Sequence, residues 1–171
     1  MAKTLTIDVD VDEVVELAQD TPIAEMRLIE SIRDTLALTL SHLQSEVQAE
    51  TEVGVTGNLR AGTRIDLGGI KPNYIGRVFY SALYGEAVVL GRPAGSKQPP
   101  IDAIELWVRR KLGITSNSRG VAFIIARAIA ARGIKGTEVF DKVMDSESAA
   151  VAKIWRKWGI KAVKILDKAL D

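Results

Sequence analysis

The 171 residues are enough for one domain with a sizeable core, and a hydrophobic share of 47% argues against disorder. No cysteine is present, which excludes disulfides, thiolate metal sites and cysteine nucleophiles and fits a reducing compartment. The formal net charge of +1 is unevenly placed: residues 1–60 carry 12 acids against 4 bases, the remainder 10 acids against 19 bases. An acidic front and a basic rear suit head-to-tail docking of copies, and equally suit two halves with separate solvated faces.

Lys3 to Asp10 alternates, with Leu5, Ile7 and Val9 on one side and Thr4, Thr6, Asp8 and Asp10 on the other, the pattern of an edge strand. The opening MAKTLTIDVDVDE has one lysine and then acids, unlike a signal peptide, and no apolar run approaches the roughly 20 residues of a membrane span. Asp8, Asp10 and Asp12 mimic the start of a calcium loop. Glu13 stands where that loop turns on Gly, and Gln19 where it needs a bidentate Glu, so no calcium site is expected. Glu13 to Gln19 fits a short helix. Thr21–Pro22 then opens the longest element: Ile23, Met26, Ile29, Ile32, Leu36, Leu40, Leu43 and Val47 step by three or four to about Glu50. Val53–Gly62 is a turn-rich link, and Thr63–Leu67, Tyr74–Ser81 and Ala87–Leu90 read as strands of a small antiparallel sheet.

Gly91, Pro93, Gly95, Pro99 and Pro100 forbid regular structure over the next loop. A helix then carries Ile101, Ile104, Trp107 (or Val108) and Leu112 on one face and closes at Gly113. Asn117–Ser118 caps another helix, apolar nearly all round through Val121, Phe123, Ile124, Ile125, Ala128 and Ile129, which places it centrally in a helical layer. It ends at Gly133. GIKG is a turn, and Thr137 caps a last helix in which Gly159 is a candidate kink. The fold class is therefore α+β: a small antiparallel sheet against a long N-terminal helix and several C-terminal helices. It is expected as one domain over 1–171, with a strand and arm at 1–20, a long helix at 21–50, a β-region at 53–91, a Pro/Gly loop at 92–100 and a helical region at 101–171.

Little chemistry is legible. Gly91–Lys97 falls short of a phosphate loop, because the glycine gap is three and Gln98 follows Lys97. Asp102 with Glu105, and Asp141 with Asp145, read as solvated pairs. His42 is the lone histidine, without ligand or triad partners, and reads as a surface or boundary residue. Arg109, Arg110, Lys111, Arg119, Arg127, Arg132 and Lys135 could follow a phosphate backbone. No catalytic, cofactor or metal residues are assigned, and the chain does not read as an enzyme.

The order of motifs adds to this. TGNLRAG (Thr56–Gly62) resembles the TGxLR-type motif of the tail-completion or head–tail joining (neck) proteins of tailed bacteriophages and prophages. Tyr84–Gly85, then GRPAGSKQPP and WVRRKLG, resemble that family's middle, and RGIKG (Arg132–Gly136) followed by Phe140 its late turn. The match covers most of residues 22–145. Val88–Leu90 depart from the Glu and aromatic that family members often carry there, and Ser146–Asp171 extends beyond the resemblance. The resemblance implies a non-catalytic structural virion protein, with no cofactor. Its partners would be itself, in a homo-oligomeric and commonly six-fold ring, and the adjacent connector and tail-tube proteins. DNA would pass through the ring without sequence-specific binding, no membrane would be involved, and the location would be the virion neck after assembly in the host cytoplasm. Gly57, Asn58, Arg60, Arg92, Gly95 and Lys97 are the expected neighbour contacts. Alternatives are a tail terminator or connector stopper of the same virion, or a non-virion DNA-binding adaptor.

Overall fold

Pro22 opens α2 (Pro22–Glu50), and from Leu28 to Val47 one stripe of this helix is shut off from solvent. The computed structural model describes residues 4–18, 21–54, 56–82 and 84–170. Leu28, Ile32, Leu36, Leu40, Leu43 and Val47 are fully buried, each worth about 1.5–3 kcal/mol of transfer free energy. At its start the stripe is displaced from the sequence pattern, since Ile23 and Met26 are exposed and Ala24 is buried instead. Ser31 and Thr39 also lie in it. Their hydroxyls are satisfied along the helix, Ser31 donating to the Leu28 carbonyl at 2.8 Å and Thr39 to that of Thr35 at 2.8 Å.

The architecture is α+β. Before α2 come β1 (Leu5–Val9) and α1 (Asp12–Glu16), and after it α3 (Asn58–Ala61), β2 (Thr63–Ile70), β3 (Asn73–Tyr80), α4 (Gly85–Leu90) and β4 (Gly91–Arg92). Then follow α5 (Ile101–Lys111), α6 (Ser118–Arg132), β5 (Ile134–Lys135) and α7 (Val139–Leu170). Lys3 and Gln19, at the ends of the expected strand and short helix, lie outside the described residues. The chain divides into two compact units: 51–62 with 80–139, and 4–50 with 63–79 and 140 onward.

In the second of these, a three-stranded antiparallel sheet runs in the order β1-β3-β2. Leu5 pairs with Val78, Ile7 with Gly76 and Val9 with Tyr74, so the alternation in β1 matches that of β3 and both present one face to α2. Gly76 permits that approach: a Cβ there would lie 2.8 Å from both methyls of Leu40. α7 runs antiparallel to α2. His42 meets Glu147 at 2.8 Å, Trp158 Nε1 donates to Ser31 Oγ at 3.0 Å, and Ala162 packs with Ala24 and Leu28, so partners descend in α7 as they ascend in α2.

α7 passes through Gly159 as unbroken helix, where the sequence suggests an interruption. A Cβ at Gly159 would meet open space. Gly159→Ala is therefore expected to stabilise the protein by about 0.5–1 kcal/mol, raising Tm by roughly 1–4 °C. An unchanged or lower Tm in a calorimetric scan would refute this.

Two elements of the other unit correct the sequence expectation. Ala87–Leu90 belongs to the helix α4 and is not a strand, so the segment 53–91 is a β-region only in its middle. Gly91–Arg92 instead pairs antiparallel with Ile134–Lys135, making GIKG half of a ladder as well as a turn. The ladder is tight, because a Cβ on Gly91 would strike the Ile134 carbonyl oxygen and one on Gly133 that of Arg92.

Candidate functional site

The segment TGNLRAG forms a single helical turn. Gly57 takes the left-handed conformation at φ 67°, and Ala61 and Gly62 then donate to the carbonyls of Gly57 and Asn58 at 3.0 and 2.8 Å. Gly62 O accepts both the backbone N–H and the hydroxyl of Ser81, at 2.9 and 2.8 Å. Leu59 lies beside Gly85, where an added Cβ would come within 3.5 Å of its methyl. Asn58 and Arg60 are exposed and Gly57 half-buried. The Tyr80 hydroxyl meets that of Thr51, and burial pushes its pKa up while that hydrogen bond opposes the shift.

The Gly91–Pro100 loop is braced from within. The Arg92 guanidinium donates to the Lys97 carbonyl, closing the loop on itself. Gly95 turns at φ 78° and donates its N–H to the Ala130 carbonyl at 2.8 Å, tying the loop to α6. Lys97 is exposed. Ser96 Oγ and Gln98 Nε2 are buried without a hydrogen-bond partner, a condition that costs about 1–3 kcal/mol for each group. Of the six expected contact residues, Arg92, Gly95 and Lys97 share this loop, while Asn58 and Arg60 lie in α3 with Gly57 just before it. All six belong to one unit. Arg92 is committed to its own loop, while Lys97 presents its side chain to solvent.

A polar cluster that the sequence reads as a solvated pair binds α5 to α6. Glu105 is only 8% exposed. Its carboxylate accepts from Ser118 Oγ at 2.9 Å, from Arg109 at 2.6 Å and from Arg119 at 3.2 Å, and Arg119 also bridges to Asp102 at 2.9 Å. Ser118 is thereby spent on Glu105 and does not cap α6. Asn117 precedes the helix in a left-handed conformation with no side-chain cap bond. The Ser118 hydrogen bond, helped by the two arginines and opposed by desolvation, holds the Glu105 pKa below the usual carboxylate value. A depressed carboxylate contributes stability above its unfolded pKa and loses it as pH falls through the folded value. Glu105 thus contributes to a loss of stability that sets in as pH falls below about 4.3. Glu105→Gln should have the lower midpoint at neutral pH and a shallower acid limb; parallel pH profiles for the two proteins would remove this role.

Val108, and not Trp107, occupies the buried position of α5, and Leu112 is exposed. α6 buries only Ser118, Ala122 and Ala126 and leaves Phe123 and Ile124 at 47% and 68% exposure, where the sequence places the helix centrally. Several cations of the expected basic set are internally engaged: Arg109 and Arg119 as described, Lys111 with the Val53 carbonyl at 3.4 Å, and Lys135 with Glu138 at 3.4 Å. His42 is partly exposed in its pairing with Glu147.

Asp8, Asp10 and Asp12 line an open groove with Lys71 and Asn73. Among the described residues, no group of three His, Asp or Glu side chains could hold a metal ion, and no helix is long and apolar enough to cross a membrane. No family model, curated protein or solved structure matches the chain.

Proposed function

We propose that this chain is a structural subunit of a tailed-phage particle: a tail-completion or head–tail joining protein that forms a homo-oligomeric ring at the neck. It acts without catalytic residues or cofactor. Its partners are copies of itself and the adjacent connector and tail-tube proteins, and DNA passes through the ring. Its place is the virion neck, after assembly in the host cytoplasm.

The observation that carries this reading is the state of the Gly91–Pro100 loop. It is stiffened by three prolines and an internal Arg92 brace, yet it holds two buried polar groups, on Ser96 and Gln98, without partners. Native structures rarely leave such groups unpaired. Contact with a neighbouring subunit would supply the partners that these two groups lack. Two further facts lend support. The loop is bonded to α6, whose Phe123 and Ile124 are uncovered, as at a face that packs on assembly. Of the segments that carry the family resemblance, the short motifs between residues 56 and 136 lie in one unit, TGNLRAG beside Gly85 and RGIKG laddered to GRPAG.

The test is assembly. The purified chain should form closed rings by light scattering and negative-stain microscopy. Lys97→Glu and Ile124→Glu, both on exposed side chains, should abolish rings without lowering Tm by more than roughly 2 °C. In the particle, disrupting the gene should leave filled heads and finished tails lying apart. Heads joined to tails of uncontrolled length would assign a tail terminator instead, and normal particles would end the virion reading.

A further inference from the structure

Outside the unit discussed above, a run of exposed positive charge lies along α7. Lys153, Lys157, Lys161, Lys164 and Lys168 follow one another at steps of four, four, three and four. At 3.6 residues per turn these positions fall within an arc of about 80° and extend for about 22 Å. The direction of the band is fixed by the apolar side of the same turns. Trp158, Ala162, Ile165, Leu166 and Ala169 pack against Ala18, Ala24 and Leu28, which leaves the lysines exposed. Arg27 of α2 joins them, lining one open groove with Lys161, Lys164, Ile165, Asp167 and Lys168.

These six cations differ from the arginines of α5 and α6. Arg109 and Arg119 are neutralised by Glu105 and Asp102, and Arg77 meets Asp66. Among the described residues none of the six on this band makes an ion pair, and Asp167 is the one acid lining their groove. Five lysines held in line on a packed helix repel one another, so the arrangement favours a linear polyanion over a point charge.

We propose that the α7 band, completed by Arg27, binds the phosphate backbone of double-stranded nucleic acid irrespective of sequence. Over about 22 Å a duplex presents about 13 phosphate charges, in excess of the six cations available. Lysine is a point-charge donor suited to phosphate oxygens, and α7 carries no Asn or Gln to read base edges. It also lacks an exposed aromatic platform for unpaired bases. Trp155 and Trp158 are half-buried, pack edge-on at 5.7 Å, and Trp158 is bonded to Ser31. An anionic membrane is the other polyanion to consider. α7 has spent most of its apolar side on α2 and, among the described residues, keeps Ile160 and Val163 exposed beside the band, less than an interfacial helix buries. The inference is independent of the ring reading, since the band could serve a monomer or a ring alike.

The experiment is fluorescence anisotropy of the full chain with a labelled random-sequence duplex of about 20 base pairs, titrated between about 50 and 200 mM salt. Six phosphate contacts give a slope of log K against log salt near −5 and an affinity loss of about 10³-fold across that range. The triple variant Lys157→Gln, Lys161→Gln, Lys164→Gln keeps helix-forming, solvent-facing residues, so its far-UV spectrum should be unchanged. Its slope should fall to about −3. Absence of duplex binding at low salt would overturn the proposal, as would a triple variant with wild-type slope. Binding to phosphatidylserine-containing vesicles but not to duplex would overturn it in favour of a membrane surface. Unimpaired ring formation alongside failed duplex binding would leave the ring reading intact and remove this one alone.

Discussion

Gly136→Ala is expected to unfold the unit that carries the Pro/Gly loop, at a cost of about 3 kcal/mol or more. The residue has no positive φ, so the penalty is one of space. A Cβ there would sit on the Val89 carbonyl oxygen, with the Leu90 carbonyl carbon at 2.6 Å and the Gly91 nitrogen at 2.7 Å. All three are backbone atoms that cannot swing aside as a side-chain tip can. The same backbone holds the α4–β4 junction against β5, where Thr137 N–H donates to Val88 O at 2.9 Å. Native-state hydrogen exchange should show the Thr137 amide losing its protection, together with a lower urea midpoint. Gly95→Ala is the comparison. Its Cβ would meet open space, so only the left-handed backbone is penalised, by about 1–2 kcal/mol. Equal effects at the two glycines, or unchanged Thr137 protection in Gly136→Ala, would refute the close-approach argument.

The second large effect lies where the sheet meets α2. Leu40→Ala should cost about 2–5 kcal/mol, because truncating a fully buried side chain leaves a cavity between rigid elements. Gly76→Ala should cost about 1–3 kcal/mol for the opposite reason, since its new methyl would press on Leu40 at 2.8 Å and on Leu36 at 3.0 Å. The two faults share one space. In the double variant the alanine at 76 partly fills the void left by Leu40, so the combined loss should fall short of the sum by about 1 kcal/mol or more. Urea unfolding of the four proteins measures this, and strict additivity would mean that the sheet and α2 do not meet at these side chains.

Much of the fold is legible in the chain because the signals are local. Pro22 at the start of α2, the stepped apolar residues from Leu28 to Val47, and the left-handed Gly113 and Gly133 after α5 and α6 each act within a turn or two of chain. The alternation in β1 and β3 marks the sheet and its inward face. Of the candidate site, the turn-forming glycines Gly57 and Gly95 are legible from their residue type alone, while the Arg92 brace depends on a carbonyl five residues away that no pattern marks.

Local signals of this kind suffice for the α+β class, the spans of the long helices and the exclusion of cysteine chemistry. Tertiary packing decides the points at which two distant segments compete for one position. By propensity Ala87, Val88, Val89 and Leu90 favour a strand. They are helical because β5, far along the chain, takes Gly91–Arg92 as its ladder partner and Thr137 bonds back to Val88. Glu105 reads as solvated because its partners Ser118 and Arg119 come from the next helix. Val108 displaces Trp107 from the buried face, and α6 keeps Phe123 and Ile124 outside. A helix apolar all round has no preferred side until a neighbour packs against its small residues, here Ala122 and Ala126. Periodicity sets where a helix runs; only packing sets which of its faces is covered.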